Sequence, residues 1–301
     1  MRKPFPKSRP FKAADKPADV RPDKPERRPD KQERRASNAP TPNHAGGAVP
    51  TPSVGRALML YGSHAVGAAW LNPDRPCRHL YGTAPALAGL APVLDQAAKL
   101  GLKRPQPIAV ERDVIEKLLP LGAVHQGLAL DAEPLPEIDL EDVLIAAGNG
   151  AATFVLLDQV TDPHNVGAIL RSAAALGARG VIVQTRHAPE VTGVLAKTAS
   201  GAVEVVPLLR ETNLSRAIER LRDEGFFVIG LDERGETSIA DAAFGDRVVL
   251  ALGAEGEGLR RLVAENCSQL VSLPTQPPIG SLNVSNAAAI GLYEIARRRS
   301  R

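Results

Sequence analysis

A chain of 301 residues with 44% apolar and 24% charged content is long enough to bury two ordinary domain cores and still carry an extension. Aromatic residues make up only 3%, which argues against a surface that binds single strands by stacking many bases on rings. Two cysteines far apart in sequence, Cys77 and Cys267, argue against a disulfide framework or a zinc site and fit a reducing cytoplasm, and no apolar run approaches a membrane span or a signal-peptide core.

The net charge of +3 is unevenly spread. Residues 1–40 hold thirteen Lys or Arg against six Asp or Glu, a net +7, which leaves −4 for residues 41–301. A run such as Lys24-Pro25-Glu26-Arg27-Arg28-Pro29-Asp30-Lys31 cannot bury enough apolar area to offset its conformational entropy, so residues 1–53 are expected to form a disordered basic tail. Such a tail serves either as an arm attracted to RNA phosphates or as a solubilising extension, and both readings stand.

In chain order, the pattern predicts a strand at Ala57–Tyr61, a helix from His64 to Leu71, a strand near Arg78–Tyr81 and a helix around Leu87–Leu100. A strand at Pro107–Val110, a helix from Arg112 to Leu119 and a strand at Gly127–Asp131 complete a small α/β domain over 54–131. Glu133-Pro134-Leu135-Pro136-Glu137 breaks the alternation, so 132–151 reads as a linker with one short helix near Leu140–Ala146.

Alternation resumes over 152–301. Strands are predicted at Thr153–Leu157, Val181–Gln184, Glu204–Pro207, Phe226–Leu231, Val248–Leu252 and Leu270–Leu273. A helix carrying Leu214, Ala217, Ile218 and Leu221 is stopped by Gly225. Mostly apolar strands alternating with helices imply a parallel sheet covered on both faces, with ligands beyond the carboxyl ends of its strands.

Three polar loops fall at such ends. The first runs from Asp158 through Asp162-Pro163-His164-Asn165 into a helix whose apolar stripe is Val166, Ile169, Leu170 and Ala173, which puts Arg171 on the opposite side. The second is Gly253-Ala254-Glu255-Gly256-Glu257-Gly258, which matches neither a dinucleotide-binding nor a phosphate-binding glycine loop. The third is Gly280-Ser281-Leu282-Asn283-Val284-Ser285-Asn286, opening a helix through Ile290, Tyr293 and Ala296. Ser285 or Asn286 is expected to cap that helix, leaving Ser281 and Asn283 to point at a ligand, and Asn165 is expected to cap its own helix as well as to order the site.

These loops resemble, in order, the three motifs of the SpoU (TrmH-like) branch of the SPOUT RNA 2′-O-ribose methyltransferases, over roughly residues 152–301. The stretch from Tyr61-Gly62-Ser63-His64-Ala65-Val66 to Val124-His125-Gln126-Gly127 is similar to the N-terminal domain of the RlmB-type members. The resemblance implies a trefoil-knotted methyltransferase domain behind a small RNA-binding domain, a homodimer formed through the knotted region, and S-adenosylmethionine as methyl donor without a metal. It implies 2′-O-methylation of a guanosine ribose in 23S rRNA. A tRNA ribose methyltransferase and a non-catalytic ribosome assembly factor are the competing readings.

Carried over residue by residue, the family pattern puts Gly253, Leu273 and Leu282 around the donor, and Arg171, Asn165, Glu255, Ser281 and Asn283 at the reacting ribose. Arginine stays protonated, so Arg171 is read as gripping a phosphate and steadying a developing alkoxide. Gly253 is read as letting backbone approach the donor. His64 and His125 are expected to be structural or RNA-contacting. The chain departs from the family at Leu273-Pro274-Thr275-Gln276-Pro277-Pro278, where Pro277 replaces a glycine and implies a stiffer or rerouted donor loop.

Overall fold

A computed structural model describes residues 58–278 and 280–299; the predicted tail, 1–53, and Ala57 of the first predicted strand lie outside them. The N-terminal part consists of β1 (Leu58–Tyr61), α1 (Ser63–Leu71), β2 (Cys77–Gly82), α2 (Ala84–Lys99), β3 (Ile108–Ala109), α3 (Arg112–Leu118) and β4 (Leu128–Ala132). Its strands lie in the order β1-β4-β2-β3, with β4 antiparallel to both neighbours and β2 parallel to β3. Leu60, Leu80 and Leu130 pack with α1 and α2, while Tyr61, Tyr81 and Ala129 on the other face meet Ile115 of α3.

After α4 (Leu140–Ala147), the chain builds β5 (Ala152–Leu157), α5 (Pro163–Ala175), β6 (Gly180–Gln184), α6 (Gly193–Thr198) and β7 (Leu208–Glu211). It continues with α7 (Leu214–Asp223), β8 (Phe227–Leu231), β9 (Thr237–Ser238), β10 (Arg247–Leu252), α8 (Arg261–Asn266), β11 (Gln269–Ser272) and α9 (Val284–Arg299). The seven strands, in the order β7-β6-β5-β10-β8-β11-β9, are paired in parallel throughout. Both faces are covered, which is why the strands read as continuous apolar runs. Phe154 and Leu156 of β5 pack on the side of α4, α7 and α8, whereas Val155 and Leu157 pack on the side of α5, α6 and α9.

One predicted strand is displaced. Glu204–Pro207 reads as a strand, but Gly201 turns the chain into the left-handed region at φ 90, and the Ala202 carbonyl accepts from both Val205 and Val206. A short 3-10 turn at Ala202–Glu204 results, and the strand begins only after Pro207, at Leu208. The two-residue strand β9 had no pattern long enough to read.

The two sheets share one apolar core, in which Val66 and Trp70 of α1 join the cluster that contains α5 and α6. Beside that core lies a buried ion pair: Arg75 Nη2 donates to Glu204 Oε1 at 2.7 Å and Nε to Oε2 at 3.1 Å, with both side chains at most 2% exposed. Asn72 Nδ2 adds a bond to Glu204 Oε2 at 2.8 Å, and Arg75 Nη1 reaches the Glu133 carbonyl at 2.8 Å. The pair therefore ties the turn after α1 to the turn before β7 and to the start of the linker. Removing one partner of such a pair strands the other charge, so Glu204→Ala is expected to cost about 3–5 kcal/mol in denaturant unfolding. A loss below ~1 kcal/mol, the size of an exposed pair, would remove the clamp from the fold's energetics.

Candidate active site

Three strands that are neighbours in the sheet, β10, β8 and β11, end at one cleft of about 510 Å³. Its walls are Leu231–Arg234 after β8, Leu252–Gly258 after β10, and Leu273, Thr275 and Gly280–Val284 after β11, with Ala287 of α9 beyond. Gly253, Leu273 and Leu282 all line it, as do Glu255, Ser281 and Asn283. Asn165 and Arg171 do not.

The reason for glycine at 253 differs from the expectation. A Cβ there would strike the backbone of Gly258 and Leu259, so the missing side chain makes room for the loop's own return rather than for a ligand. The loop closes on itself through Gly258 N donating to the Ala254 carbonyl at 3.0 Å, and Gly256 and Gly258 take φ of 83 and 67, which favours glycine at both.

Glu255 stands where the motif loops meet. Its Oε1 accepts from Asn283 Nδ2 at 2.5 Å, Asn165 Nδ2 at 3.3 Å and the Val284 N–H at 3.4 Å, and Asn283 Nδ2 also reaches Asn165 Oδ1 at 3.0 Å. Oε2 of Glu255 has no hydrogen bond among the described residues.

Both helix caps are placed differently from the sequence reading. Asp162, not Asn165, caps α5 by accepting from His164 N at 3.0 Å, which frees Asn165 for Glu255. Asn283 itself, not Ser285 or Asn286, sits at the start of α9, where its Oδ1 accepts from Ser285 N at 2.9 Å and Ser285 Oγ at 2.6 Å. Asn283 thus spends its oxygen on the helix and its amide on the site.

The β8 loop was not foreseen. Asp232 is buried and receives Arg234 Nε at 2.6 Å, Arg234 Nη2 at 2.7 Å and Leu259 N at 3.3 Å, and the bonds from Arg234 hold its carboxyl below the usual carboxylate range. It ties the β8 loop to the end of the glycine loop. Asp158, fully buried at the end of β5, does the same for the start of α8, accepting from Arg260 N at 2.9 Å and Arg260 Nε at 2.7 Å. Nothing in the sequence separates Asp232-Glu233-Arg234 from an ordinary polar turn.

With Asp232 neutralised by Arg234, the remaining charges on the cleft wall, Glu233, Glu255 and Glu257, are all acidic. A cation with an apolar body suits that lining, since Leu231, Leu252, Leu273, Leu282 and Val284 supply the rest. The loop that departs from the family pattern carries a cis Pro277–Pro278 peptide and a bond from Thr275 Oγ1 to the Gly280 carbonyl at 2.8 Å.

Arg171 is exposed on α5 and has no hydrogen bond or ion pair among the described residues. Six residues beyond Asn165, it lies about 120° around the helix from it. Among the described residues no group of three or more His, Cys, Asp or Glu is placed to hold a metal ion.

Residues 152–293 match the model of the SpoU rRNA Methylase family. A Mycobacterium avium protein described as an uncharacterized tRNA/rRNA methyltransferase is 44% identical over 177 residues, 58% of this chain and 57% of the relative. A Mycolicibacterium vanbaalenii protein of the same description is 41% identical over 194 residues, 64% of this chain and 62% of the relative. The matched stretch therefore spans about three fifths of those relatives.

Among solved structures, the SpoU methyltransferase AviRb from Streptomyces viridochromogenes in complex with AdoMet is 26% identical, with a TM-score of 0.66, covering 81% of this chain and 91% of that one. An RNA 2′-O ribose methyltransferase is also 26% identical, with a TM-score of 0.67, covering 82% and 90%. With its motif loops gathered at the carboxyl end of a parallel sheet, the seven-stranded part of this chain matches the SpoU rRNA Methylase family model over residues 152–293.

Proposed function

We propose that the protein transfers a methyl group from S-adenosylmethionine to the 2′-hydroxyl of a guanosine ribose in 23S rRNA. The observation that carries this reading is the junction of Glu255, Asn165 and Asn283 at the rim of an acid-lined, partly apolar cleft. The similar AviRb structure holds AdoMet, and a second similar structure is of an RNA 2′-O ribose methyltransferase. The likeness of residues 61–127 to the RlmB-type N-terminal domain supports the choice of rRNA. The descriptions of the relatives name tRNA as well as rRNA, so mapping ribose methylation in both RNA classes from a deletion strain decides between them.

Bound in the cleft, S-adenosylmethionine supplies an electrophilic methyl on a sulfonium. Leu231, Leu252, Leu273 and Leu282 would shelter its apolar parts, and Glu233 and Glu257 would balance its positive charge. The protein's task at the ribose is orientation and charge. Glu255 fixes Asn165 and Asn283 through one oxygen and keeps the other for the substrate hydroxyl. Arg171 holds a phosphate next to the target ribose. Its distance around α5 from Asn165 supports an RNA that spans both faces or a second copy that brings its own Arg171 to the cleft. A homodimer through α9 fits the exposed stripe of Ile290 and Tyr293, 43% and 58% exposed, an apolar pair three residues apart on one helix face.

Arg171→Ala is expected to remove most methyl transfer while changing stability by less than ~0.5 kcal/mol, as for a surface change. Near-normal turnover in a radiolabelled methyl assay would take Arg171 out of the reaction. At Glu255 the two substitutions separate charge from geometry: Glu255→Gln retains an acceptor for Asn165 and Asn283 and should keep more activity than Glu255→Ala. Equal losses would assign the essential role to the carboxylate charge.

For the tail, deleting residues 1–50 should flatten the salt dependence of RNA binding by ~3 log units per log unit of salt if it engages ~4 phosphates, at ~0.7 per phosphate. Target choice should survive, because phosphate contacts carry no sequence information. An unchanged slope would make the tail a solubilising extension.

A further inference from the structure

Where the two sheets meet, Lys197 of α6 lies across Gly62, the residue before α1, and a side chain at Gly62, whose φ is 85, would collide with the lysine's stem and ammonium. Lys197 Nζ donates to Gln126 Oε1 at 2.7 Å, and the same oxygen accepts from Ser63 N at 3.0 Å and Ser63 Oγ at 3.2 Å. Gln126 is itself in the left-handed region, at φ 56, an unusual conformation for a side-chain-bearing residue. Three donors on one oxygen fix which way its amide points. Its amino group is left without a partner among the described residues, and Gln126 is exposed.

Lys197 pairs with no carboxylate among the described residues, and burial lowers its pKa from the ordinary lysine value. The cluster thus offers the two remaining ammonium protons and an amide NH2, with one positive charge and no acid. Donors of that kind select an anion with several acceptor oxygens.

The position matters as much as the chemistry. Thr198, next to Lys197, has its hydroxyl 3.0 Å from the Val194 carbonyl and 3.4 Å from His164 Nδ1. His164 adjoins Asn165, whose amide belongs to the junction with Glu255. A continuous polar strip therefore runs from the small sheet, across α6, to the rim of the cleft.

We propose that Lys197 and Gln126, held together across the junction of the two sheets, form a phosphate-binding positioning site for the RNA strand flanking the target ribose. The proposal rests on the RNA-methylating function above, and it assigns the strand a path over the small sheet into the cleft. It also gives the buried Arg75–Glu204 pair a purpose, since a contact built from both sheets is lost if they separate.

The test is binding of a short single-stranded oligoribonucleotide across a series of potassium chloride concentrations, by wild type, Lys197→Met, Lys197→Arg and Gln126→Ala. Methionine keeps a flexible stem over Gly62 and removes the charge, so Lys197→Met should melt as wild type does while its salt slope falls by ~0.7, the share of one phosphate on a single strand. Lys197→Arg should keep the slope, and Gln126→Ala should weaken binding with the slope nearly retained. KM for unmethylated 23S rRNA transcript should rise several-fold in Lys197→Met, more than kcat falls. A wild-type slope and KM in a folded Lys197→Met protein would overturn the proposal. If the wild type itself transferred no methyl group to RNA, the functional reading would fail, and the slopes would still decide the phosphate contact.

Discussion

The geometry of the site depends on one carboxylate oxygen. Oε1 of Glu255 receives the amides of Asn165 and Asn283 and the first N–H of α9, so three loops distant in sequence are fixed relative to one another at a single atom. A hydrogen bond to a charged group contributes about 1.5–3 kcal/mol when sheltered, and less where the acceptor is exposed, as here. The arrangement is therefore reinforced from below. Asp158 holds the start of α8, and Asp232 holds the return of the glycine loop; both are buried and both are matched by arginine. The buried pairs set the loops, and the exposed carboxylate aligns their side chains.

What the sequence made legible is what local chemistry decides. The stripe Leu214, Ala217, Ile218 and Leu221 with Gly225 behind it specifies a helix and its stop without reference to the rest of the chain, and α7 ends where that pattern ends, with Gly225 at φ 80. Val166, Ile169, Leu170 and Ala173 likewise orient α5 and expose Arg171. Where local signals compete, the reading fails. Glu204–Pro207 reads as a strand, but the left-handed turn at Gly201 starts a tight helical turn that Val205 and Val206 follow. Asparagines near a helix start all look like caps, and only the position of Glu255 decides that Asn165 serves the site while Asp162 serves the helix.

Pairs that join distant segments leave no trace in either segment. Arg75 and Glu204 are separated by more than a hundred residues, and each alone reads as a solvated charge. The same holds for Lys197 and Gln126, which acquire meaning only when α6 is set against the turn before α1. Gly253 shows the converse, since the motif reads it as leaving room for the donor, whereas the backbone of its own loop at Gly258 and Leu259 occupies the space a side chain would take.

Charge separates the two ligands that the proposed reaction requires. A cleft whose unneutralised groups are Glu233, Glu255 and Glu257 favours a cation and repels phosphate, so RNA cannot be drawn in through the donor site. Residues 41–301 carry a net −4, so any attraction that this part adds to that of the basic residues 1–40 must come from local groups rather than from its overall field. Arg171 and Lys197 are cations without ion-pair partners among the described residues, and both belong to the α5–α6 side of the sheet rather than to the cleft wall. An RNA held by them approaches along that side and meets the junction of Asn165, Glu255 and Asn283 at its edge. On this arrangement the acidic lining favours the cationic donor at the same time as it keeps the phosphates outside, leaving the ribose as the part of the RNA that reaches the rim.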